Sequence, residues 1–204
     1  MGGVIDPKFC VPGSGPVNQE IFKTTDGDYI VQDVHSGIII FKAEGKLFKF
    51  HDGFRLNDAN GHPVVTLRKK IATAHARWQV FKGHSIDPKD LLFTAVKTSM
   101  VQLKTKLHVF LANNTAEESF DYKVEESWSH DRCNIYARNP SIIVAEMHKR
   151  TGKSGNFVVK VNPEMDYAFV TAIILILDAM NKSLNLPVGT ISAVGTAVSL
   201  ALEA

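Results

Sequence analysis

Between Glu20 and Asn162 short apolar runs alternate with polar, turn-forming residues, and the side chains within the runs alternate with a period of two. In 101–111, Val101, Leu103, Thr105, Leu107, Val109 and Leu111 fall on one face, and Gln102, Lys104, Lys106 and His108 on the other. Successive side chains of a strand point to opposite faces, so this pattern predicts a strand with one buried and one wet face. The same reading holds for 75–81, where Ala76, Trp78 and Val80 oppose Arg77 and Gln79, and for 119–125, where Phe120, Tyr122 and Val124 oppose Asp121, Lys123 and Glu125. Runs at 47–50, 64–67, 91–96, 133–137, 142–147 and 157–161 bring the total to about a dozen strands. Asp26-Gly27, Ser36-Gly37, Asp52-Gly53, Asn60-Gly61, Lys82-Gly83 and Asn139-Pro140 punctuate them. Turn signals every roughly 8–12 residues are the pattern of all-β sandwiches and barrels.

The pattern changes at 167–177, YAFVTAIILIL, which is bounded by Asp166 and Asp178 and has Thr171 as its single polar interruption. A stretch of this length is too short to span a bilayer and predicts a core helix. Asn162-Pro163-Glu164 upstream offers an N-cap, a proline for the first turn and an acid near the positive end of the helix, which then covers about 164–181. A helix without a polar face must be wrapped on all sides, and the preceding sheet is the available wrapping. Closing that sheet removes its exposed edges and creates an interior. The expected fold is therefore mainly β, a closed antiparallel barrel of about twelve strands around a central hydrophobic C-terminal α-helix, occupying 19–182. Residues 1–18, which contain PGSGP, read as a flexible leader. Residues 183–204 read as a tail, uncharged from Ser183 to Leu202 and diluted with Ser, Thr, Gly, Asn and Pro187. Its length matches a membrane span, but only about half of it is apolar, which favours a mobile tail or a helix packed on the barrel over an anchor.

Composition narrows the class of function. The 23 basic and 21 acidic residues nearly cancel, whereas a domain that grips duplex nucleic acid is strongly basic. Two cysteines, Cys10 and Cys133, do not make a disulfide framework and favour a reducing compartment. No charged-then-apolar signal segment opens the chain, and Asp6 stands where an acylated Gly2 would prefer Ser or Thr downstream. The expected location is the cytoplasm, with peripheral attachment at the plasma membrane or a nuclear role as extensions of it.

Motifs for catalysis are missing their partners. Gly152-Lys153-Ser154 would need a glycine at the position of Met147 to be a phosphate-binding loop. Cys133 and His130 flank Asp131 but do not form a thiol-protease signature, and Cys133 is expected in the core. The eight histidines have no metal-ligand spacing. Glu117, Glu118, Asp121, Glu125 and Glu126 cluster in what reads as a solvated strand and its turn. These observations predict no catalytic residue, no metal and no cofactor. The stronger lead is basic. Strand alternation points Arg68, Lys70, Arg77, Lys104 and Lys106 outward, and adjacent strands would join them into an anion-binding face. Lys and Arg meet phosphate oxygens through charge-assisted hydrogen bonds, and an anionic membrane surface attracts each nearby basic residue.

The strings VIDPKFC (4–10), PVVTLRKK (63–70), RWQVFKG (77–83), DLLFTAVKTSMVQLKTKLHVFL (90–111) and VNPEMDYAFVTAIILILDAMN (161–181) resemble the plant LURP-one-related proteins over nearly the whole chain. That family is similar to the tubby C-terminal domain and to the phospholipid scramblases. The resemblance implies a tubby-like barrel of about twelve strands around a C-terminal helix. It also implies a non-enzymatic binding module that docks phosphoinositide or other anionic phospholipid head groups and reports to a signalling or transcriptional partner, in some members in plant defence. A protein-interaction scaffold without a lipid role and a scramblase-like membrane protein are the alternatives. The tail beyond Lys182 departs from the family pattern.

Overall fold

The computed structural model of the chain describes residues 3–45, 53–70, 76–98, 106–127, 131–138, 142–150 and 156–183. Twelve strands run in sequence: β1 Val17–Lys23, β2 Tyr29–Asp33, β3 Ile39–Glu44, β4 Gly53–Asp58, β5 Pro63–Lys70, β6 Arg77–Lys82, β7 Leu91–Lys97, β8 Lys106–Leu111, β9 Tyr122–Glu126, β10 Arg132–Ala137, β11 Ile143–Lys149 and β12 Phe157–Val161. Each pairs antiparallel with the next, and β12 returns to β1, so the sheet is a closed barrel without a free edge. The helix α1, Tyr167–Ser183, follows β12. The expected strand at 47–50 lies outside the described residues.

The period of two reappears as burial. In β8, Leu107 and Val109 are fully buried, whereas Lys106 and His108 are partly exposed. Val65 and Leu67 of β5, Val80 of β6 and Phe93 and Ala95 of β7 are also fully buried. Turns close where the backbone requires a left-handed residue, as at Gly37 (φ 69°) and Gly61 (φ 86°), a conformation glycine adopts without steric cost. Four register shifts, after Val31, Leu56, Val80 and Ile135, fall toward the same end of the barrel, the end at which α1 begins. Bulges bend a strand and raise its local twist, so they draw the wall around the start of the helix.

The helix fills the barrel. Every residue from 168 to 177 is at most 1% exposed. Phe169 sits between Phe93 and Tyr122, with ring centroids 4.9 and 4.8 Å away. Burying one large apolar side chain contributes about 1.5–3 kcal/mol gross. Packing of this kind is non-directional, and polar contacts set the depth and rotation of the rod. Thr171 Oγ1 lies 3.0 Å from Gln19 Oε1 of β1 and 2.8 Å from the Tyr167 carbonyl. The Tyr29 hydroxyl of β2 donates to Asp178, and Asn181 Nδ2 donates to Glu126 of β9 at 2.9 Å. Among the described residues the buried Gln19 Nε2 has no hydrogen-bond partner, so this keying carries a desolvation cost of about 1–3 kcal/mol.

The start of the helix differs from the sequence expectation. Asp166, not Asn162, caps it, with Oδ1 accepting from the backbone N–H of Ala168 and Phe169 at 3.0 Å each. Asn162–Met165 forms the turn that leads in, and Glu164 there has φ 65°. The second Asp166 oxygen accepts from the N–H of Ile5 at 2.7 Å and of Asp6 at 3.2 Å. Burial pushes this carboxyl above its usual range, against the pull of those four N–H donors. Residues 4–11, part of the segment read as a flexible leader, accordingly lie across this end: Phe9 and Val11 are buried, and Val11 exchanges backbone bonds with Glu164 and Met165.

A helix that fills the barrel cannot lose volume cheaply. Phe169→Ala is expected to lower the unfolding free energy by about 3–5 kcal/mol in urea denaturation. A loss under about 1 kcal/mol would place Phe169 outside the packed interior.

Candidate functional site

Register decides which of the basic residues meet. Lys70 of β5 is directly opposite Arg77 of β6, and Arg68 is opposite Gln79. Arg68 and Lys70 are exposed, their neighbours Val65 and Leu67 fully buried, so both cations stand on the outer wall as the alternation predicts. Among the described residues neither has an acidic side chain within ion-pair distance. Arg77 continues this row outward across the sheet to Val96 of β7, His108 of β8 and Lys123 of β9. Lys106 lies on β8, two strands beyond β6; strands are about 4.8 Å apart, so it belongs to the edge of the patch. Lys104 lies outside the described residues.

Two of these cations are already partnered. Both terminal nitrogens of Arg77 donate to Glu117, at 2.7 and 2.8 Å, and the two side chains are 25% and 31% exposed. The paired hydrogen bonds raise the Arg77 pKa and hold the Glu117 carboxyl below its usual range. Lys106 is 3.9 Å from Glu125, which takes Lys123 at 3.0 Å. The patch is therefore three cations on two adjacent strands, of which Arg68 and Lys70 face solvent directly.

Sequence reading missed a second basic feature, at the end of the barrel where α1 finishes. Lys23, Lys69, Lys97 and Lys149 continue the inward register of β1, β5, β7 and β11 beyond the last apolar residues Ile21, Leu67, Ala95 and Met147. A helix C-terminus carries a partial negative charge that favours cations. Asp178 and Glu126 add acid there: burial raises the Asp178 pKa, and the Tyr29 hydrogen bond and the charges of Lys23 and Lys149 oppose it. Burial lowers the Lys97 pKa, and the charge of Glu126 opposes that. The opposite end carries Asp33, Asp58, Asp87, Asp90, Asp121 and Glu164, beside the positive end of the helix. The signal was present in the sequence: in each of the four strands the inward period of two ends on a lysine.

Cys133 is buried in the core, and burial pushes its thiol pKa up, away from the reactive thiolate. Of the acidic cluster read as solvated, Glu117 is paired and Glu126 is only 2% exposed. No group of three His, Cys, Asp or Glu is arranged to hold a metal among the described residues. An open recess of about 500 Å³, lined by Val4, Leu91, Leu92, Leu111, Ala112 and Tyr122 among others, has no charged side chain among its described lining residues. Among the described residues, no helix is long and apolar enough to cross a membrane.

Comparison with known proteins adds the relatives. A family model described as LURP-one-related matches residues 16–178. Protein LURP-one-related 15 of Arabidopsis thaliana is 43% identical, over 89% of this chain and 87% of its own length. Protein LURP1 of the same plant is 37% identical, over 88% of this chain and 90% of its own. The X-ray structure of an Arabidopsis thaliana protein superposes with a TM-score of 0.72 at 40% identity, covering 89% of this chain and 99% of that one.

The Arg77–Glu117 pair makes a signed prediction. A depressed Glu117 pKa contributes stability above its unfolded value of about 4.3, and the contribution is lost as pH falls through the folded value. Because both groups are partly solvated, wild type should exceed Glu117→Gln by no more than about 1 kcal/mol at neutral pH. The gap should close when denaturation is repeated below the usual carboxylate range, and a gap that persists there would contradict the ion pair.

Proposed function

Because the chain belongs to the LURP-one-related family, we propose that it is a non-enzymatic binding module of the tubby-like kind, one that docks anionic phospholipid head groups and reports to a signalling or transcriptional partner in plant defence. The observation that carries this reading is the placement of Arg68 and Lys70 on the outer wall of β5, exposed and beside Arg77 of β6. Because the interior is filled by α1, recognition is left to the wall and the two ends. Arg68 contributes a planar two-pronged donor suited to phosphate, and Lys70 a mobile point charge beside it. The lysines at the finishing end of α1 lie toward the same end as Lys70 and extend the positive potential. The protein would sit peripherally at a cytoplasmic membrane face, held by charge.

A scaffold reading has its own observation. Val34, Ile38 and Ile39, all at the β2–β3 hairpin, are 41%, 66% and 36% exposed, and large exposed apolar surface is a mark of protein-interaction sites. This hairpin is at the opposite end from Lys70, so the two surfaces could act together.

Cosedimentation with phosphatidylcholine vesicles, with and without a phosphatidylinositol phosphate, tests the lipid reading. Wild type should favour the anionic vesicles at low salt and lose the preference at high salt, where charge attraction is screened within about a nanometre. Replacing both Arg68 and Lys70 with Gln should weaken anionic binding on the order of thirtyfold, from about 1 kcal/mol per cation. Equal recovery with both vesicle types would overturn the reading.

A further inference from the structure

The connection between β8 and β9, residues 112–121, leaves the barrel at Leu111 and returns at Tyr122. Its contacts lie well down the outer wall. Phe120 packs on His108 of β8 with ring centroids 4.7 Å apart, and Glu117 holds Arg77 on β6. Arg77, Val96 and His108 are successive cross-strand neighbours on β6, β7 and β8. A chain that touches His108 with one residue and Arg77 with another therefore crosses over Val96. This accounts for outer-wall residues that are shielded: Val96 is 9%, Phe110 8% and Thr94 5% exposed, although each alternates with an inward-facing core residue.

The base of the connection is fastened separately. Asp121 Oδ2 accepts from the Leu111 N–H at 2.9 Å and from Asn114 Nδ2 at 2.8 Å, and Asn114 Nδ2 also reaches the Ser119 carbonyl at 2.8 Å. Arg138 holds the Ser119 hydroxyl at 2.8 Å. The tip, by contrast, is tied by Glu117, a residue held at φ 50°, in the left-handed region that side chains other than glycine rarely occupy. The fastened base and, among the described residues, one ion pair at the tip describe a strap that can lift at one end.

We propose that this strap occludes part of the anion-docking face, and that an anionic phospholipid head group opens it by taking Arg77 from Glu117. The inference rests on the lipid-docking reading given above. The chemistry is an exchange of acceptors: a phosphate presents the same pair of oxygens to the guanidinium as the carboxylate does, with no covalent change. Lys70 stands directly opposite Arg77 and its charge already acts on Glu117, so a phosphate arriving at Lys70 is placed beside the contested contact. Lifting the tip bares Arg77 together with Val96, a cation beside an apolar side chain that suits the boundary between head groups and acyl chains.

The test is cosedimentation with phosphatidylcholine vesicles, with and without a phosphatidylinositol phosphate, for wild type, Glu117→Gln, Glu117→Asp and Glu118→Gln. Glu118 is exposed and adjacent, so its variant makes the same change in net charge without releasing Arg77. Glu117→Gln is expected to bind the anionic vesicles about fivefold more tightly than wild type, the effect of one basic residue made available at the surface. Glu117→Asp, too short to hold both nitrogens, should gain in the same direction at constant charge, and Glu118→Gln should gain less than Glu117→Gln. If wild type favours anionic vesicles but Glu117→Gln gains no more than Glu118→Gln, or Glu117→Asp gains nothing, the strap is overturned and lipid docking stands. If none of the four proteins distinguishes anionic from neutral vesicles, docking and strap are overturned together.

Discussion

An α-helix with no polar face has to be surrounded, and the rest of this molecule follows from that requirement. Residues 168–177 present apolar atoms in every direction and end up at most 1% exposed. A flat sheet would cover one side of such a rod. A closed sheet of twelve strands covers all of it and satisfies its own backbone groups by ring closure. The consequence for function is restrictive. A filled interior has no room for a ligand, so chemistry can occur on the outer wall, at the two ends, and on the connections that lie against them.

Apolar packing alone would let the rod slide and turn. The helix is held in register by a few polar contacts distributed along it: Asp166 at its start, Thr171 with Gln19, Asp178 with Tyr29 and Asn181 with Glu126. The Asp166 carboxylate also binds the N–H groups of Ile5 and Asp6, so one buried side chain joins the helix cap to the segment that crosses the barrel end. Around these contacts the charges are unevenly spread. Asp33, Asp58, Asp87, Asp90, Asp121 and Glu164 lie where the helix begins and Lys23, Lys69, Lys97 and Lys149 where it ends, the sense its dipole favours, while Lys82 and Lys89 share the first end and Asp26, Asp28 and Glu44 the second. The asymmetry that stabilises the helix also gives the barrel one basic end, next to the exposed Arg68 and Lys70.

Most of the architecture was legible because it rests on local periodicity. Alternation in β5, β6 and β8 assigns faces correctly, and the uniform apolarity of 167–177 identifies the enclosed helix. The cap was misplaced because Asn162-Pro163-Glu164 is a competent start signal, whereas the start used depends on Asp166 meeting Ile5 and Asp6, some 160 residues away. The basic face was legible one residue at a time. What alternation could not show is that Arg77 is engaged by Glu117, 40 positions later, because that contact depends on how a ten-residue connection folds back over the wall. The grouping of the rim lysines at one end was missed for a different reason: alternation assigns them to the buried face, and only the proximity of a barrel mouth and a helix C-terminus makes a buried-face lysine reasonable.

If the rod is integral to the barrel, its amides can exchange with solvent only when the whole barrel opens. Native-state hydrogen exchange under increasing denaturant measures this directly. The amides of 170–177 should exchange with the same opening free energy as those of strands β7 and β8, merging in one global unfolding event. Exchange of the helix at a distinctly lower free energy, with the strands still protected, would show a barrel that persists without its core and would contradict the account.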